Sequence, residues 1–104
     1  MVYGFSPVGV IGHLVRVEVD IRRGLPGTDI VGLPSSEVKE ARERVRVAIR
    51  NAGFAYPTER ILINLSPAEI PKVGAGFDLP IALAILSESE QILVPEHMIA
   101  VGEL

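Results

Sequence analysis

The chain has 104 residues, 48% of them hydrophobic, with ten basic residues against thirteen acidic and a formal net charge of -3. That length suits one domain with one modest core, and the composition is globular rather than disordered. The acidic balance argues against a dedicated nucleic-acid binder while leaving room for a local basic stripe, and the absence of cysteine excludes disulfides, zinc–thiolate sites and thiol catalysis, which suits a reducing cytoplasm.

The opening "VYGFSPVGVIG" offers a first strand, weakened by Pro7 and three glycines. It has no basic start of the kind a signal peptide carries. Val15, Val17, Val19 and Ile21 then alternate with Arg16, Glu18 and Asp20, the period-two pattern of a half-buried strand. "GLPG" at Gly24 to Gly27 supplies a turn, and "TDIVGL" follows as a further strand, most simply antiparallel to the one before it. Pro34 closes the strand region. Ser35 or Ser36 can cap a helix, with Glu37 in its first turn where the helix dipole favours an anion. Val38, Ala41, Val45, Ala48, Ile49 and Ala52 form one apolar stripe, and Gly53 ends the helix in a left-handed conformation. Val47 lies off the stripe.

"RILINL", Arg60 to Leu65, reads as a strand with Ile61, Ile63 and Leu65 on one face. A glycine turn, "PKVGAGFD", leads into a second helix with Asp78 as its cap and Pro80 in its first turn. Leu79 to Leu86 leaves no polar face, so this helix is expected to be buried; the stretch is far too short to span a membrane. A last strand is expected at Ile99 to Val101. The closing "IAVGEL" reads as a strand begun and not finished, which suggests a piece of a longer protein. Strands, helix, strand, helix, strand is the order of an α+β fold with helices packed on one sheet.

Three places could carry chemistry. Backbone N–H groups at Gly74 and Gly76, with Lys72 beside them and Asp78 after, could cradle an anion at the start of the second helix. The plainer reading is that the glycines permit a tight turn and Asp78 caps. No G-x-x-x-x-G-K-[ST] run exists, so the turn is not a nucleotide P-loop. On the first helix, Lys39, Arg42, Arg46 and Arg50 make one basic flank that could meet DNA phosphates or an acidic neighbour. Glu40 can pair with Arg44, and Lys39 with Glu43, so a solvated, self-compensated flank is the alternative. A Ser66–Lys72 dyad is conceivable. His13 and His97 are isolated, which argues against a metal site.

Taken together, "GLPG", "IVGLP", "ERVRVAIRNAGF", "INLSPAEIPKVGAGFDLPIAL" and the closing "GEL" resemble the N-terminal domain of the magnesium-chelatase-like AAA+ ATPases, the ComM/YifB group. The resemblance runs from about Val17 to Leu104. It implies a Lon-protease-like domain, a fold shared with a ribosomal small-subunit protein: a two-layer α/β sandwich with a mixed sheet and two main helices on one face. It further implies that residues 1–104 are one domain preceding an AAA+ domain, which would bind the ATP and magnesium. This region itself would need no cofactor. The implied partners are that AAA+ domain and sister subunits in a hexamer, with DNA as a further candidate and no membrane. The family is tied to natural transformation, with ComM a hexameric DNA helicase in branch migration.

Laid over the P-K-D-G-P-S-A-G run of the Lon protease, "PKVGAGFD" places Pro71, Lys72 and Gly74 on shared positions and Gly76 where the nucleophilic serine stands. Glycine has no side chain to attack with. The resemblance therefore implies a non-catalytic accessory domain. A hydrolase with an undetected dyad, or an adaptor that binds a protein partner through the turn, are the rivals.

Overall fold

A computed structural model describes residues 1–7 and 12–104. Residues 8–11, part of the opening stretch read above as a possible strand, lie outside the described residues. In chain order the elements are β1 (Val2–Ser6), β2 (His13–Arg22), β3 (Gly27–Val31), α1 (Ser36–Asn51), β4 (Arg60–Ser66), α2 (Asp78–Glu88) and β5 (Met98–Ile99). They build an α+β fold on one mixed sheet in the order β3-β4-β2-β1-β5. β2 pairs antiparallel with both β1 and β4, whereas β3 with β4 and β1 with β5 are parallel.

The expectation that β3 folds back antiparallel on its predecessor is wrong. β4 lies between them, with Val17 opposite Leu65 on one side and Ile30 opposite Ile63 on the other. The reason lies in burial. Ile61, Ile63 and Leu65 are all fully buried, so β4 takes a central place in the sheet. α1 serves as the crossover that brings β4 parallel to β3, as a β-α-β unit requires. The four-residue turn after β2 reverses the chain without closing a hairpin.

The period-two pattern of the strands decides which face the helices cover. Val15, Val17, Ile61, Ile63 and Leu65 join one core with Val38, Ala41, Val45 and Ile49 of α1 and Ile81, Ile85 and Leu86 of α2. The opposite face leaves Leu14, Arg16, Glu18, Leu62 and Asn64 exposed. α1 starts where Ser35 caps it, its hydroxyl accepting the Val38 N–H at 3.2 Å. It ends before Gly53, whose φ of 89° is left-handed. Val47 is about half exposed, which explains why no stripe could hold it.

Two expectations about the C-terminal half need correction. Phe77, not Asp78, is the cap residue of α2, and no side chain caps that helix. The last strand is only Met98–Ile99. After Ala100, whose N–H still bonds to the Tyr3 carbonyl, the chain leaves the sheet and crosses the start of α2. There Leu79 N–H donates to the Gly102 carbonyl at 3.0 Å, and Gly102 N–H donates to the Gly76 carbonyl at 3.1 Å.

Candidate functional site

The turn Pro71–Asp78 is pinned from several sides. Ser6, fully buried on β1, donates its hydroxyl to the Pro71 carbonyl at 2.8 Å. Lys72 N–H donates to the Leu33 carbonyl, and its own carbonyl accepts from Ser35 N–H. The Lys72 side chain is buried, and its ammonium donates to the Pro67 carbonyl at 2.6 Å. Burial pushes its pKa down, against a smaller opposing pull from Glu69. No hydrogen bond joins Lys72 to Ser66 among the described residues; the Ser66 hydroxyl reaches toward Glu18 at 3.4 Å instead.

The two glycines differ. Gly74 has a φ of 84°, the left-handed region that glycine enters without penalty. Gly76 has no such φ. A Cβ there would stand 3.2 Å from Val101 Cγ1, so its role is close approach to the crossing C-terminal segment. The reading of both as turn glycines thus holds for Gly74 by conformation and for Gly76 by space.

Asp78 is fully buried and holds three hydrogen bonds. Arg44 of α1 donates from Nε at 2.7 Å and from Nη2 at 3.0 Å, and Leu104 N–H donates at 3.1 Å. This fork ties α1, α2 and the C-terminal segment together. Arg44 was not singled out from the sequence beyond a local pair with Glu40, which does form, at 3.8 Å. Its position gave a signal: it sits at the border of the stripe, three from Ala41 and four from Ala48, where a long polar side chain can reach a neighbouring helix.

The basic flank of α1 is placed differently from its local pairing scheme. Glu43 pairs with Arg46 at 2.7 Å rather than with Lys39, and that hydrogen bond lowers the Glu43 pKa. Lys39, Arg42 and Arg50 make no ion pair among the described residues. Arg42, Arg46 and Arg50 line one wall of a cleft of about 470 Å³, closed opposite by Thr28, Tyr56 and Thr58. Lys39 lines a separate groove beside β3, which Arg42 shares. The structure therefore brings three of the four flank residues to one cleft and leaves Lys72, Gly74, Gly76 and Asp78 in the turn. The Tyr56 phenol shares a hydrogen bond of 2.7 Å with the Thr28 hydroxyl, and burial raises its pKa, so it stays neutral at physiological pH. Three arginines against one glutamate leave the cleft with surplus positive charge, suited to an anion. Among the described residues, no cluster of His, Asp or Glu is arranged to hold a metal, and no helix is long and apolar enough to cross a membrane.

Comparison with known proteins adds the following. The family described as subunit ChlI of Mg-chelatase matches residues 17–104. An uncharacterized protein, YifB of Escherichia coli (strain K12), is 52% identical over 92 residues, covering 88% of this chain and 18% of that protein. Competence protein ComM of Haemophilus influenzae is 51% identical over 92 residues, with the same coverage of 88% and 18%. An uncharacterized YifB of Salmonella typhimurium is 48% identical across the whole chain, which covers 21% of it. The chain thus spans about a fifth of the length of these relatives.

Proposed function

This chain belongs to the family of subunit ChlI of Mg-chelatase, and we propose that it is the non-catalytic, accessory N-terminal domain of a ComM-like AAA+ ATPase of the cytoplasm. In this reading ATP and magnesium are handled elsewhere in the parent protein, while this region aids ring assembly and guides DNA. One of its relatives is named a competence protein, which supports a place for the parent protein in competence. The single observation that carries the DNA reading is the cleft of Arg42, Arg46 and Arg50, which presents the guanidinium groups of Arg42 and Arg50, unpaired among the described residues, beside that of Arg46, itself paired with Glu43, on one helix. Guanidinium forks match phosphate oxygens, and the neutral Tyr56 beside them adds no repulsion.

The turn supports the non-catalytic half of the proposal. Gly76 offers no nucleophile where the Lon-type serine would stand, the Lys72 ammonium is directed to a backbone carbonyl, and Asp78 is engaged by Arg44. Each polar group there has a structural partner.

The test is a titration of single-stranded DNA over a salt series. If the three arginines neutralise about three phosphates, log K falls with log salt at a slope of about −2, so a fourfold rise in salt weakens binding roughly 15-fold. Replacing Arg42 and Arg46 with Ala abolishes most of that dependence without unfolding the chain. Salt-independent binding, or binding unchanged by the replacements, removes DNA from the proposal.

A further inference from the structure

We infer that the outer edge of β3 is a docking site for an extended acidic peptide, which adds to the sheet as a further strand. β3 stands at the end of the sheet and, among the described residues, is bound only by β4. In a parallel ladder alternate residues turn their N–H and C=O groups away from the partner strand. Beyond the β4 ladder, no backbone group of Gly27–Val31 has a backbone partner among the described residues. Such an edge is a template for another strand unless something guards it. Here the guards are missing: β3 has no proline or lysine, and its one charge, Asp29, is neutralised by Arg60.

A groove of about 420 Å³ follows this edge. On the open face of the sheet it is floored by Val31 and Leu62, 42% and 40% exposed. On the helix side it is walled by Lys39 and Arg42, two of the three flank cations that stand without an ion pair among the described residues. An added strand alternates its side chains between these two surfaces. One set would meet the cations and the other Val31 and Leu62. The groove therefore selects alternating acidic and apolar residues.

Charge decides among occupants. A second copy pairing β3 to β3 about a two-fold axis would set two Lys39–Arg42 flanks side by side in one layer, which repels. A nucleic acid has no amide ladder for β3, and its phosphates gain nothing from Val31 or Leu62. An acidic peptide uses all three features. This site is distinct from the arginine cleft, with Arg42 at the border and Lys39 in this groove alone.

The experiment pans a phage-displayed library of short random peptides on the 104-residue chain, then measures enriched peptides by fluorescence anisotropy and amide hydrogen exchange. We expect enriched sequences that alternate Asp or Glu with apolar residues, and protection of amides in Thr28–Val31. Lys39→Glu, on an exposed helix position, should weaken binding by about tenfold or more, whereas Arg50→Glu leaves it unchanged. N-methylation of alternate peptide amides should abolish binding, a readout that needs no variant of the protein. No enrichment, enriched peptides without the acidic alternation, or indifference to Lys39→Glu or to N-methylation overturns the proposal. So does displacement by a single-stranded oligonucleotide that protects the same amides, which would make the edge a nucleic-acid surface.

Discussion

Replacing Arg44 with Met removes both hydrogen bonds that its guanidinium gives to Asp78. Asp78 is wholly buried, and the Arg44 side chain is only 26% exposed. The variant therefore leaves a carboxylate without solvent, held by Leu104 N–H alone. Breaking one side of a buried pair costs about 3–5 kcal/mol, because the surviving charge is uncompensated. For a domain whose whole stability is about 5–15 kcal/mol, that is a large share. The assay is urea unfolding followed by circular dichroism at neutral pH. Arg46→Met is the internal control: it breaks only the exposed, solvent-screened pair with Glu43 and should cost far less. A third variant, Arg44→Met with Asp78→Leu, removes both charges and should recover most of the loss. If Arg44→Met costs no more than Arg46→Met, the fork is not a structural joint and the reasoning fails.

Lys72 has a folded pKa below its ordinary 10.5, so the unfolded chain binds the proton more tightly. Wild-type stability should therefore gain on Lys72→Met as pH rises through the folded pKa toward 10.5, and parallel pH profiles of the two proteins would refute this. Gly74→Ala should cost about 1 kcal/mol or more because of its left-handed φ, whereas Gly76→Ala should cost less, since the exposed Val101 can swing aside; equal thermal melting of the two variants contradicts the distinction. Gly76→Ser should create no cleavage of an unfolded protein substrate, since the Lys72 ammonium is held by the Pro67 carbonyl; cleavage above wild-type background would show a competent base. Calorimetry with ATP and magnesium should give no saturable heat, because no P-loop exists, and micromolar binding would count against an accessory role.

The local elements could be read from the sequence because their causes are local. The alternation around Val17, the stripe from Val38 to Ile49 and the apolar run after Asp78 each name an element by its period. Strand order could not be read that way. Nothing within β3 says that β4 lies beside it in place of β2, since the decision rests on Ile61, Ile63 and Leu65 taking an interior place in the sheet. The same limit applied at the site. Lys39 and Glu43 have the spacing of an ion pair, but Arg46 takes Glu43 instead, donating from Nη2 at 2.7 Å. Asp78 has the composition of a helix cap, yet a partner 34 residues away claims its carboxylate. In the first case a nearer local partner won, three residues away instead of four, and in the second a long-range one.

The central position of β4 also constrains how the chain can acquire its shape as it is synthesised. By the time residues 1–59 have been made, three of the described strands and one helix exist, yet among the described residues the only ladder available is β1 with β2. β3 has no neighbour until β4 arrives, and the inner edge of β2 stays open beside it. The two ladders β4 makes join segments distant in sequence, and such pairings form slowly. The nascent chain therefore holds the two strand edges that β4 will pair, one on β2 and one on β3, and the apolar face of α1 together until residue 66 has emerged. A ribosome stalled before β4 would present that surface to chaperones, and one released just after it would not.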